Sequence, residues 1–265
     1  MEAEAYRNIR FNICDGVAEL TLDRPTALNA LTLDMAAELH HAVTRIASDN
    51  GIRALLLSGS GRGFCSGADL GDVGGAEVET GDVGESLELF FNPMLETLFA
   101  MPKPFIVAVN GPAVGAGFGL ALAGDIVLAA RSAYFVQAFV NVGLVPDLGS
   151  TWLLPRHIGR ARAMALMMLG DKLPAETARE WGMVYDVVED EALLPAARAL
   201  ASRLARGPTR SYDMLRRAVR AGMEGSLSET LALERANQRT AGFTRDFAEG
   251  ARAFLERRPA RFCGE

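Results

Sequence analysis

The chain has 265 residues, enough for one large domain or a domain with a helical extension, and its 49% hydrophobic share is ordinary for a globular protein. A formal charge of -6 offers no basic field to nucleic acid or to an anionic membrane surface, and the arginines of the second half alternate with Glu and Asp as on solvated helix faces. Cys14, Cys65 and Cys263 have no CxxC spacing, the start MEAEAYRNIRFNI has neither a basic nor an apolar leader region, and no uncharged apolar run approaches a membrane span, so a soluble cytoplasmic protein without disulfide framework or zinc is expected.

Ile9 to Cys14 and Val17 to Leu22 alternate apolar with polar around Asp15-Gly16, which predicts a hairpin ended by Asp23-Arg24-Pro25. Thr32 can cap a helix whose Met35, Leu39, Val43 and Ile46 share a face, and Asn50-Gly51 stops it. Arg53 to Ser58 reads as a buried strand. From Gly59 to Gly84 nine glycines leave too little apolar mass for a regular element, so a mobile loop is expected, with GRGFCSGADL as its shaped part. There Gly67 lets the backbone of Ala68 approach a ligand closely. Leu87, Phe91, Met94, Leu95 and Leu98 share the face of a helix that Pro93 kinks.

Phe105 to Val109 is a short buried strand between Pro104 and Asn110-Gly111. It leads through Gly115-Ala116-Gly117-Phe118-Gly119 into the helix-compatible LALAGD. A strand that turns through glycines into a helix leaves unpaired N–H groups aimed at one point, which suits an anion. Strand, loop and helix thus repeat about three times before residue 130, the pattern of a mixed or parallel α/β architecture. After Thr151 helices dominate: WLLPRHIGRARAMALMMLG, Pro174 to Trp181, Leu193 to Leu204, Pro208 to Ala221 and Leu227 to Arg239, with Met183 to Val188 as the one strand.

Several residues have a plain structural reading beside a functional one. The glycine cluster fits a packing turn as well as a ligand loop, but GxGxG without an acidic residue about twenty positions on does not fit a dinucleotide site. Asp147, in VPDLGST, fits a turn; among apolar neighbours it also fits a proton carrier with a raised pKa. Asp69 and Asp125 read as cap or turn carboxylates. His40, His41 and His157 lack ligand spacing, Cys65 lacks a partnering His, and Trp152 and Met167-Met168 read as core or subunit contact.

At GRGFCSGADL, NGPAVGAGFGLALAGD and VNVGLVPDLGSTWLLPRHIGRARAM the chain resembles the crotonase superfamily, also called the enoyl-CoA hydratase/isomerase family. The resemblance runs from the hairpin and RPTALNAL to AEGARAFLERRPARF, and GRGFC, GAG, GLVPD and TWLLPR look most like its ring-1,2-epoxyphenylacetyl-CoA isomerases. It implies a crotonase-like α/β spiral of ββα turns over residues 1–200, then a helical region over 201–265 that builds homotrimers or hexamers and covers the active site. It implies an acyl-CoA thioester as ligand, coenzyme A being part of the substrate rather than a separate cofactor, and no metal.

By the same resemblance, the thioester carbonyl is polarised by the backbone N–H groups of Ala68 and Ala116, one such donor being worth roughly 3 kcal/mol in the transition state. Arg24, Ser66, Asp69, Leu70, Gly115 and Pro146 belong to the implied binding set, the adenosine end lies against Ala27 and Leu28, Phe118 and Phe139 line the acyl pocket, and Phe254 and Arg257 of the terminal helix are lid contacts. The two glutamates of the hydratases correspond to Gly119 and Phe139, neither of which moves a proton, so ordinary water addition is doubtful. Asp147 stands where the phenylacetate-pathway isomerases carry their catalytic aspartate. The expected activity is isomerisation of 3-enoyl-CoA to 2-enoyl-CoA, rearrangement of epoxyphenylacetyl-CoA to the seven-membered oxepin, or both. The alternatives are hydratase-type chemistry and a non-catalytic acyl-CoA binder.

Overall fold

The computed structural model describes residues 6–69, 71 and 81–265. Strands β1 (Ile9–Cys14) and β2 (Val17–Leu22) form the expected hairpin, Ile9 opposite Leu22 and Cys14 opposite Val17. Asp15 and Gly16 turn it with φ of 49° and 78°, the pair of left-handed positions that matches strand twist. Helix α1 (Leu33–Ser48) begins where the Thr32 hydroxyl accepts the Met35 N–H at 3.1 Å, and it buries Met35, Leu39, Val43 and Ile46.

Strands β3 (Ala54–Gly59) and β4 (Phe105–Val109) are buried along their whole length. With β6 (Ile126–Ala130) and β9 (Asp186–Val188) they complete a six-stranded sheet in the order β1-β2-β3-β4-β6-β9, parallel from β2 onward. Parallel strands covered on both faces read as unbroken apolar runs, which is why FIVAV and IVLAA do not alternate. The helix Leu193–Ala205 packs on β3 and β4, so the expected boundary at residues 200/201 falls inside a helix that belongs to the sheet.

A second, three-stranded sheet was not expected. Strands β5 (Ala113–Val114) and β7 (Tyr134–Val136) pair parallel, and β8 (Lys172–Pro174) joins β7 antiparallel. Strands of two and three residues are too short to leave a period in the sequence. Within the Gly59–Gly84 stretch, the part up to Asp69 departs from the expected mobile loop. Gly59–Asp69 is tied down by backbone hydrogen bonds on two sides, while Leu70 and residues 72–80 lie outside the described residues.

The helix around Pro93 is wound as π over Leu87–Phe91 and as α over Asn92–Ala100. Proline lacks a donor and its ring crowds the carbonyl four residues back, and the widened turn directly ahead of it accommodates both. The segment 152–170 is two helices, Ser150–Ile158 and Arg160–Leu169, parted at Gly159. The chain ends in helices Thr209–Gly222, Leu227–Gly242 and Arg245–Leu255. The first is tied to the sheet by Arg216, 2.7 Å from Asp125, whose carboxylate also accepts the Phe105 N–H at 2.8 Å. Asp125 is thus structural, through an ion pair rather than a cap.

Candidate active site

The two glycine loops are built against each other. Residues Phe64–Ala68 run between two neighbours: Phe64 and Cys65 donate their N–H groups to Pro112 O, Val114 N–H returns to Cys65 O, and on the far side Ser66 N–H donates to Leu28 O. Leu31 N–H donates to Gly67 O at 2.8 Å and Asp69 N–H to Leu31 O at 2.9 Å, a parallel bridge that pairs Leu31 with Ala68. Successive backbone groups point to opposite sides of an extended chain, so this bridge turns the Ala68 N–H away from Leu31.

Ala116 opens the helix Ala116–Leu122, so its N–H has no acceptor within the helix. Gly67, at φ 100°, brings the loops together: a Cβ there would stand 3.0 Å from Val114 O and 3.6 Å from the Ala116 nitrogen. Only glycine adopts that backbone conformation without strain and permits that approach.

The residues behind this loop hold it. Arg24 Nη1 donates to Ala30 O at 2.6 Å and to Asp69 Oδ2 at 3.0 Å, and the Ser66 hydroxyl donates to Ala27 O at 3.2 Å. Asp69 also accepts the Gly71 N–H, consistent with a turn carboxylate. Asn29, which the sequence reading missed, is fully buried at φ 56°, a left-handed position that Asn tolerates best among side chains carrying a Cβ. Its amide donates to Ser60 O and Gly63 O at 2.9 Å and accepts the Arg24 N–H, fastening the Pro25–Leu31 turn to the first glycine loop. The signal in RPTALNAL was an Asn inside an otherwise apolar turn.

The loops open onto a cavity of about 440 Å³. Its walls include Ser66, Ala68, Gly115, Ala116, Phe139, Pro146 and Asp147 of the predicted set, with Leu87 and Phe91 from the π-wound turn. Arg24, Ala27, Leu28 and Asp69 sit in the layer behind Ser66–Ala68. Phe118 does not line the cavity, being fully buried with its ring 5.5 Å from that of Phe135, whereas Phe139 does line it. Phe254 is 83% exposed and Arg257 lies beyond the helix end, and neither reaches the cavity within this chain. Leu70 lies outside the described residues.

Asp147 is the one titratable side chain among the described lining residues. Burial pushes its carboxyl up to about 6, against the smaller opposing effect of a hydrogen bond to its own backbone. The turn that carries it is strained: Leu148 follows at φ 44°, a left-handed position costly for a branched side chain, then Gly149 at φ 70°. Ser150 N–H donates to Asp147 O at 2.9 Å and begins the next helix. Gly119 abuts this turn, with Leu148 O 2.6 Å from where its Cβ would be.

The remaining candidates lie elsewhere. Cys65 is buried, its thiol pushed up to about 12 by desolvation, and is inert as a nucleophile. His41 bonds Tyr6 and His40 bonds Thr97, while burial lowers the pKa of His157. Among the described residues no cluster of His, Cys, Asp and Glu is arranged to hold a metal ion, and no helix is long and apolar enough to cross a membrane.

A pocket of this size with two amides free of backbone partners in its wall and one poorly solvated carboxyl has the groups to bind a carbonyl, stabilise its enolate and move a proton. Known proteins bear directly on which chemistry this is. The enoyl-CoA hydratase/isomerase family model matches residues 12–265. The chain is 50% identical to the 1,2-epoxyphenylacetyl-CoA isomerase of Escherichia coli (strain K12), covering 94% of this chain and 96% of that protein. It is 36% identical to the trans-2-decenoyl-[acyl-carrier-protein] isomerase of Streptococcus mutans, over 98% and 99% of the two chains. The crystal structure of an enoyl-CoA hydratase from Bacillus anthracis superposes with a TM-score of 0.92 at 31% identity, covering 98% of this chain and all of that one. With a family match over nearly its full length and the crotonase fold, this chain belongs to the enoyl-CoA hydratase/isomerase family and is one of its enzymes.

Proposed function

We propose that this enzyme isomerises acyl-CoA thioesters, with Asp147 as its single acid/base group and the Ala68 and Ala116 N–H groups as the oxyanion site. The observation that carries this reading is the composition of the cavity: among its described lining residues, one titratable side chain, Asp147, beside two unpaired backbone donors. For a 3-enoyl thioester the Asp147 carboxylate takes a proton from C2, and the C–H electron pair moves through the carbonyl carbon onto oxygen. The two amides hold the resulting enolate oxygen. Asp147 then returns the proton to C4 as the enolate collapses, leaving the double bond between C2 and C3, conjugated with the carbonyl. One carboxyl serves both steps because its pKa lies near neutrality.

Water addition needs a second carboxyl, and the positions matched to the hydratase glutamates are Gly119 and Phe139, which disfavours a hydratase. Rearrangement of an epoxyphenylacetyl thioester to its oxepin uses the same enolate-stabilising site. It is supported by the E. coli relative and by the cavity volume of about 440 Å³. The free state of Cys14, Cys65 and Cys263 supports a cytoplasmic setting, and exposed Leu215 and Val219 on the helix Thr209–Gly222, with exposed Met223 at its end, support homotrimers or hexamers.

The test offers three thioesters to the purified protein. A 3-enoyl-CoA should give the conjugated 2-enoyl product, and epoxyphenylacetyl-CoA the oxepin. Robust water addition to crotonyl-CoA would instead assign a hydratase, and absence of solvent deuterium exchange into a bound thioester would assign a non-catalytic binder.

A further inference from the structure

Among the described residues, the side-chain atoms buried without a hydrogen-bond partner are both amide atoms of Gln137, Oδ1 of Asp147 and the hydroxyl of Ser150. Gln137 and Ser150 are fully buried. Buried amides and hydroxyls are almost always paired, with protein or with ordered water, so each exception calls for a partner.

The three flank one helix, Ala116–Leu122. The Ser150 hydroxyl lies 2.9 Å from where a Cβ on Gly119 would be. Gln137 follows Val136, whose carbonyl accepts the Gly115 N–H, and precedes Phe139, whose ring stands 3.7 Å from the Cβ position of Gly115. Gln137 is the residue that leaves β7 for the short helix Ala138–Val142, two residues on from Phe135, which packs on Phe118 of the helix Ala116–Leu122. Asp147 lines the cavity, yet its Oδ1 is shut away from it. A Cβ at 119 would stand 2.6 Å from Leu148 O and 2.9 Å from both Leu148 Cβ and the Ser150 hydroxyl, so glycine is what lets the Asp147–Ser150 turn close on this helix.

We propose that Gln137 and Ser150 hold internal water behind Asp147, making Gln137 a positioning residue that fixes the carboxyl of Asp147 for proton transfer. The inference rests on the reading of Asp147 as the proton carrier. The donor and acceptor arithmetic favours water as the occupant. Gln137 offers two N–H donors and one acceptor, Ser150 one donor and an acceptor, and an ionised Asp147 only accepts. A water that takes an amide N–H and gives an O–H to Oδ1 satisfies both, and buried waters ordinarily make about three such bonds. That bond holds the carboxyl plane and stabilises its ionised form.

Among the described residues, elements next to the turn of Asp147 also carry charged groups. Arg156 and His157 belong to the helix Ser150–Ile158, where Arg156 stacks on Trp152 and reaches Glu224 at 3.9 Å. Glu96 lies on the helix Asn92–Ala100, and Asp125, just past the helix Ala116–Leu122, is paired with Arg216.

The test combines Gln137→Leu and Ser150→Ala with turnover of a 3-enoyl-CoA across pH and a high-resolution crystal structure of the parent enzyme. The expected result is density for water bonded to Gln137 and Ser150, a kcat lowered about tenfold with KM nearly unchanged, and an acid limb of the rate profile moved to higher pH in both variants. A purely structural amide predicts the reverse. Gln137→Leu would then keep or gain thermal stability, and the acid limb would stay in place in both variants; that result, or a site without water, overturns the proposal. If Gln137→Leu does not fold, Ser150→Ala decides alone by the same limb. Asp147→Asn separates the layers: inactive Asp147→Asn with an unmoved limb in the other variants leaves the proton-carrier reading intact and defeats this inference, while active Asp147→Asn defeats the reading itself.

Discussion

The position that a Cβ on Gly119 would occupy lies 2.6 Å from the carbonyl oxygen of Leu148 and 2.9 Å from the Ser150 hydroxyl, so residue 119 and the turn carrying Asp147 compete for one volume. A carboxylate at 119, as in the hydratases, and a carboxylate delivered by the 147 turn are thereby alternatives. Gly119→Ala should push the turn outward, cost about 1–3 kcal/mol as overpacking does, and lower isomerisation about 10-fold or more because the carboxyl is displaced. Gly119→Glu should lose isomerisation without gaining hydration of crotonyl-CoA. Thermal melts with both assays check this; wild-type turnover in Gly119→Ala would mean that the turn is not confined by that contact.

Asp147 ties the reaction to pH. As a base it must be ionised, so kcat/KM for a 3-enoyl-CoA should rise with pH through about 6, and Asp147→Asn should abolish the rise and at least about 10² of the rate. Its effect on stability has the opposite sense. A carboxyl whose folded pKa lies above its unfolded value favours folding only while it is protonated. That contribution is complete below about 3.8 and lost as pH rises through about 6. Asp147→Asn should therefore be more stable than the parent at pH 7.5 by about 1–2 kcal/mol, allowing for the water that reaches a half-buried group, and level with it near pH 4. Urea titrations at the two pH values measure the difference; equal differences at both would remove the linkage.

The Ala116 amide can be deleted with little harm to the fold. Ala116 is the first residue of its helix, where proline is well tolerated because the N–H makes no helical bond. Ala116→Pro should fold with nearly parental stability and lose about 10²–10³ in kcat, the value of one oxyanion donor. Thioester binding, followed by quenching of tryptophan fluorescence or by calorimetry, should weaken far less. A kcat within about twofold of the parent would take Ala116 out of the oxyanion site.

What the sequence disclosed, and what it withheld, divides by range. Asp15-Gly16, the Thr32 cap and the FIVAV strand were legible because each is decided by bonds within a few residues. The stitching of Phe64–Ala68 was not, since its partners are Leu28–Leu31 on one side and Pro112–Val114 on the other. A glycine-rich stretch free of periodicity then looks mobile although it is fixed from both flanks. The sequence leaves the direction of Phe118 open, because a seven-residue helix rich in glycine carries no apolar stripe to set its phase. Asn29, Gln137 and Ser150 stayed hidden because burial, not residue type, gives them their importance. Asp147 was found by motif, and the geometry then supplied its burial and the strained turn behind it.

Arg216 should matter to stability and not to catalysis. It is 7% exposed, its Nε stands 2.7 Å from Asp125 Oδ2, and its remaining donors go to Met101 O and, at 3.3 Å, to Leu98 O. Asp125 in turn holds the first residue of β4, Phe105, so one guanidinium joins the helix Thr209–Gly222, the end of the helix Asn92–Ala100 and the sheet. Arg216→Leu removes the cation and leaves two carbonyls and a carboxylate without it. Because Asp125 is partly open to water, the loss should be about 2–3 kcal/mol rather than the full cost of a severed buried pair. Arg216→Lys should fall between, since an ammonium restores the charge but not the fork that reaches three acceptors at once. Denaturant midpoints would order the three proteins, and KM for the thioester should be the same in all of them at temperatures where each is folded. A raised KM in Arg216→Leu with an unchanged midpoint would mean that this helix acts on the ligand site and not on the attachment of the C-terminal helices to the sheet.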